Sequence, residues 1–117
     1  MTNDSDNSVS DITRHIGFLL MPEYTLSTFA NAISVLRMAN RLSGDELYKY
    51  SVFSSGGLGV KSSSGVEVII DGPPSHPDEL NILVVCGGYN VSSHCDKKII
   101  NVLRSYAKKK IPIAGIC

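Results

Sequence analysis

Three places in the sequence join a buried-type strand to residues with usable chemistry. Ile111-Pro112-Ile113-Ala114-Gly115-Ile116 is an apolar run followed at once by Cys117. A thiol straight after a buried strand sits at a strand-to-helix turn, near the positive end of a following helix. That setting favours a nucleophilic or oxidisable thiolate. A buried structural thiol fits the same spacing equally well. His15-Ile16-Gly17-Phe18-Leu19-Leu20-Met21 is closed by Pro22, and Glu23 and Tyr24 follow. Glu23 could reach the same crevice and hydrogen-bond the thiol; on spacing alone it also reads as an ordinary exposed loop carboxylate. Ile82-Leu83-Val84-Val85-Cys86 ends in Gly87-Gly88-Tyr89. Paired glycines in that place either offer backbone amides to an anion or oxyanion, or make a tight turn. They spell no phosphate loop, because neither a Gly-Lys-Ser/Thr ending nor a GxGxxG spacing is present.

Other reactive side chains read as structural. His15 begins a strand, and His76 and His94 lie in loops with no metal-type spacing, so no metal site is expected. Cys86 reads as a small core residue and Cys95 as a helix-start residue. Lys97, Lys98, Arg104, Lys108, Lys109 and Lys110 form a solvated helix face, without the interleaved aromatics of a nucleic-acid patch.

The elements that must position these residues follow from periodicity. The two apolar runs before Pro22 and Gly87 are strands buried on both faces. In residues 25–40, Leu26, Phe29, Ala30, Ile33, Leu36 and Ala39 recur at helical spacing, with Thr25 placed as N-cap and Gly44 at the exit. Residues 48–54 read as a softer strand. Residues 60–62 and 66–70 read as a short hairpin or ribbon, stopped by Asp71-Gly72-Pro73-Pro74. Residues 95–110 form a second helix with Ile99, Leu103, Tyr106 and Ala107 on one stripe, and residues 111–117 a further buried strand. Strands alternating with helices imply βαβ units and a mainly parallel sheet covered on both faces. Only two helices are present to cover it. We therefore expect residues 14–117 to be the amino-terminal part of a larger domain, preceded by a disordered tail over residues 1–13.

Composition narrows the classes. The chain has 117 residues, a length that suits one domain, and 43% hydrophobic residues suffice for a packed core. Eleven basic residues balance eleven acidic ones, which argues against a globally basic nucleic-acid binder and a polybasic membrane binder. No apolar run approaches the roughly 18–20 residues that span a bilayer, and the polar start is not a signal peptide. Three cysteines are a sparse, odd set, which suits a reducing, cytoplasmic setting better than a disulfide framework.

The ordered motifs resemble a known family. His15-Ile-Gly-Phe-Leu-Leu-Met-Pro22, Leu36-Arg-Met-Ala-Asn-Arg-Leu-Ser-Gly44, Val85-Cys-Gly-Gly88 and Ile113-Ala-Gly-Ile-Cys117 are similar to the amino-terminal half of the ThiJ/PfpI-type, class I glutamine-amidotransferase-like domain. Within it, the chain is most similar to GlxA-type members of the AraC family of transcriptional regulators, including those of carnitine, betaine and arginine catabolism. The stretch over residues 36–44 is the specific part of the resemblance. It implies a flavodoxin-like three-layer α/β sandwich that continues past the elbow cysteine, Cys117. It also implies that DNA is bound only through a carboxy-terminal domain with two helix-turn-helix motifs, absent from this sequence. Regulators of this group commonly have glycine after the proline, where this chain has Glu23, and glutamate in the first helix, where it has Ser34.

Two functions follow from the resemblance. In the first, the domain senses a small amine- or carboxylate-bearing metabolite and mediates homodimerisation, with no turnover, no cofactor and no membrane contact. Glu23, Tyr24, Gly87, Gly88, Tyr89 and Cys117 then line the ligand crevice. In the alternative, Cys117 is the nucleophile of a hydrolase, glyoxalase-like or deglycase enzyme, and Glu23 holds or exchanges the proton.

Overall fold

The computed structural model describes residues 13–74 and 76–117, so all but Thr13 of the expected tail lies outside the described residues. One sheet contains four parallel strands in the order β2-β1-β3-β4: β1 (Arg14–Leu20), β2 (Tyr48–Phe53), β3 (Ile82–Cys86) and β4 (Ile113–Ile116). The helices are α1 (Leu26–Ser43), a single turn α2 (Val91–His94) and α3 (Lys97–Lys108).

Strand alternation explains the two-sided core. Phe18 and Leu20 of β1 pack with Val52 and Cys86 against Phe29, Ala32, Ile33 and Leu36 of α1. Leu19 points the other way and packs with Phe53, Leu80, Leu83 and Tyr106, together with Val102 and Leu103 of α3. The central strand is therefore apolar at successive positions because both its faces are covered. The result is an α/β sandwich of helix, parallel sheet and helix.

The stretch over residues 36–44 has a clear structural role. Gly44, at φ 77°, closes α1 in the left-handed conformation and donates its N–H to the Asn40 carbonyl. The Asn40 side chain then ties the helix end to β2. Its Nδ2 donates to Tyr48 O at 2.8 Å, and its Oδ1 accepts from the N–H groups of Leu47 and Tyr48 at 2.9 Å. Asn40→Ala removes three bonds at a partly buried junction and is expected to cost about 2 kcal/mol, read from urea denaturation.

Several boundaries differ from expectation. Helix α1 runs on to Ser43, and Thr25 occupies its N-cap without a side-chain capping bond. The second helix does not start at Cys95: Asp96 caps it by accepting from Ile99 N–H at 3.0 Å, and Cys95 lies in the kink after α2. The ribbon over residues 60–70 shows only an isolated antiparallel bridge, Lys61 to Glu67, rather than paired strands. Strand β4 begins at Ile113, beyond Pro112, which lacks an N–H for the ladder. Among the described residues, no helix is long and apolar enough to cross a membrane.

Candidate functional site

The strand order reverses between β1 and β3, and in such sheets the loops leaving the two strands diverge to leave a crevice at their carboxyl ends. Residues 21–25 leave β1 and residues 87–90 leave β3 at that point. Backbone bonds lace the two loops together: Met21 N–H to Cys86 O at 3.0 Å, Thr25 N–H to Gly87 O at 3.0 Å and Tyr89 N–H to Glu23 O at 3.2 Å. A polar dent between His15, Arg37 and Lys49 lies at the opposite, amino-terminal end of the strands.

Both glycines sit at close approaches, against backbone at Gly88 and against a side chain at Gly87. A Cβ on Gly88 would collide with the Glu23 carbonyl oxygen and lie 2.8 Å from the Thr25 nitrogen. One on Gly87 would meet the Val91 side chain at 2.9 Å. The Gly87 N–H is already taken by Ile116 O at 2.9 Å, so it is not offered to a ligand.

Glu23 adopts φ 62°, a left-handed conformation that favours glycine. Its N–H donates to Lys61 O at 2.9 Å, and its Oε2 accepts from His94 Nε2 at 2.7 Å. His94 is brought there by α2, which begins after Asn90, itself at φ 56°. This pairing spans 71 residues, and nothing in the local pattern around His94 announces it.

Gly87 and Cys117 share a dent of about 220 Å³ that Met21, Val91 and Gly115 also line. The dent adjoins an apolar groove of about 500 Å³ between β4 and α3, lined by Val85, Ile99, Leu103 and Ile113. Cys117 is exposed, and Tyr89, on the rim loop, is 64% exposed. Tyr24 corrects the expected site. Its side chain is completely buried, edge-on to Phe29 at 5.9 Å between ring centroids, because the turn at Glu23 directs it under α1. Its hydroxyl lies in the core, where burial raises its pKa, with Cys86 and Glu67 adding to the rise and the backbone of Val68 opposing it.

Cys86 is fully buried, and burial pushes its thiol from 9.0 up to about 12. Iodoacetamide at pH 8 is expected to modify Cys95 and Cys117 and spare Cys86 until the chain unfolds, as peptide mass spectrometry would show. Because the folded chain holds that proton more tightly than the unfolded one, stability is expected to fall as pH rises from about 9 towards 12. Among the described residues, no group of three or more His, Cys, Asp or Glu side chains could hold a metal ion.

Known proteins resemble this arrangement. No family model matches the chain. The HTH-type transcriptional regulator GbdR of Pseudomonas aeruginosa is 32% identical over 102 residues, covering 87% of this chain. GlxA of Rhizobium meliloti, also an HTH-type regulator, is 33% identical over 111 residues, covering 94% of it. An AraC-family transcriptional regulator from Pseudomonas putida superposes with a TM-score of 0.76 at 27% identity, over 87% of this chain and 63% of that one. A DJ-1 superfamily protein from Agrobacterium tumefaciens shares the fold, with a TM-score of 0.66 at 19% identity, over 89% of this chain and 53% of that one. The chain has the fold of solved DJ-1 superfamily and ThiJ/PfpI proteins. It resembles the amino-terminal domains of AraC-family regulators and spans 28% of the length of GbdR and 34% of GlxA. Glu23, one of the two departures from the resemblance, adopts a left-handed backbone of the kind that favours glycine. Ser34, the other departure, is exposed on α1.

Proposed function

We propose that this ThiJ/PfpI-type domain is the metabolite-sensing part of an AraC-type transcriptional regulator and performs no turnover. The observation that carries the reading is the 32–33% identity to two HTH-type regulators across nearly the whole described chain. The crevice between the β1 and β3 loops, with Glu23 and Cys117 at the strand ends, is the ligand site. The ligand is a small amine- or carboxylate-bearing metabolite, and dimerisation and DNA binding belong to the longer protein.

The site chemistry supports sensing over catalysis in one respect. The Glu23 carboxylate is engaged by His94, rather than by the Cys117 thiol that an enzyme would have it serve. The test is a thermal-shift screen of the chain against small amines, amino acids and their carboxylate derivatives. A saturable rise in Tm with one chemical group is the expected result, since a ligand that binds only the folded state stabilises it. A screen in which no member raises Tm overturns the reading.

A further inference from the structure

Glu23 is held at every bonding group by a different part of the chain: its N–H by Lys61 O, its carbonyl by Tyr89 N–H and its carboxylate by His94. A non-glycine residue keeps a left-handed backbone only where its surroundings over-determine it. Among the described residues only one carboxylate oxygen is used, and the Glu23 and His94 side chains remain 40% and 26% exposed. Among the described residues, neither has another ion-pair partner. Both lie past the carboxyl ends of neighbouring strands, Glu23 after β1 and His94 after β3. Glu23 lies two residues beyond Met21 and His94 three beyond Val91, and Met21 and Val91 line the dent that holds Cys117.

We propose that the Glu23–His94 pair is the charge filter of this crevice, with His94 as a specificity-determining residue. The imidazole draws the field of the carboxylate away from Cys117, so the mouth admits a carboxylate-bearing small molecule that an unscreened Glu23 would repel. This rests on the crevice being the sensing site, but its test needs no effector. Cys117 is alkylated at low ionic strength with anionic iodoacetate and, separately, with neutral iodoacetamide, and modification is read by mass spectrometry. Both reagents attack the thiolate, so the ratio of their rates cancels thiolate content and reports local charge.

Glu23→Gln should raise the iodoacetate-to-iodoacetamide ratio at Cys117 about two- to threefold, the order of effect of one unit charge within a Debye length in a water-like medium. His94→Ala should lower it about twofold, and 0.5 M salt should flatten both changes. Protection of buried Cys86 in each variant shows that the fold persists. A ratio unchanged in both variants, or moved the same way in both, with Cys86 still protected, overturns the proposal. If the ratio moves as expected and no metabolite stabilises the chain, the sensing role fails and the charge filter stands.

Discussion

Gly88→Ala is expected to destabilise the chain by about 3 kcal/mol, with a matching drop in the urea midpoint at unchanged slope. The added methyl would meet backbone atoms, the Glu23 carbonyl oxygen and the Thr25 nitrogen, rather than the yielding end of a side chain. Those atoms are fixed by the bonds from Thr25 N–H to Gly87 O and from Tyr89 N–H to Glu23 O, so relief requires separating the two loops. Gly115→Ala is the control. Nothing lies within 4 Å of a Cβ built there, and its φ is not left-handed, so its effect should stay within about 0.5 kcal/mol. The contrast isolates loop-to-loop contact from any general cost of replacing glycine in this sheet.

Phe18→Ala should cost more, about 4 kcal/mol, also measured by urea denaturation. Phe18 is 1% exposed on the central strand and packs edge-on to Phe29 with ring centroids 5.6 Å apart, next to Leu20, Val52 and Cys86. Removing the ring forfeits its transfer free energy and leaves a cavity that two covered faces cannot collapse to fill. Folded domains hold only about 5–15 kcal/mol in total, so this one change should consume a large share. Leu42→Ala offers the counterpart on α1: at 80% exposure it touches little, and its cost should be within about 0.5 kcal/mol.

The parts of the fold legible in sequence were those whose physics is local. β1 and β3 announced themselves as unbroken apolar runs because both faces of each are buried. The inner face of α1 was visible in Phe29, Ile33 and Leu36 because one stripe of that helix meets the sheet. Asp96, by contrast, overrode periodicity. Ile99 and Leu103 fit a helix from Cys95, but the Asp96 carboxylate fixes the start one residue before Lys97. The two short segments of residues 60–62 and 66–70 suggest a hairpin or ribbon, yet they meet at a single bridge. Val60, Val68 and Ile70 pack on the α1-side core while Ile69 remains exposed, so the segment serves as a cover rather than a sheet.

The site was legible in outline only. Strand ends are legible in the sequence, so it places Glu23, Gly87, Gly88 and Cys117 at one end of the sheet. Tyr24 could not be told from a lining residue, because the left-handed turn at Glu23 that buries it is a conformation, not a pattern. His94 was invisible for a different reason: its partner is 71 residues away, and only the tertiary fold brings the two together. Residues 36–44, the most specific part of the resemblance, act through Asn40 and Gly44 at the junction of α1 and β2. That stretch marks the fold, so the identity to regulators over the whole chain, and not this motif, bears the functional reading.

The central claim, sensing without turnover, is tested most directly by following a stabilising metabolite by proton NMR in the presence of an equimolar amount of the chain. The ligand should be recovered unchanged after prolonged incubation, while it still raises Tm in both the parent chain and Cys117→Ser. Steady conversion to product, abolished by Cys117→Ser, would contradict the account and make Cys117 a nucleophile.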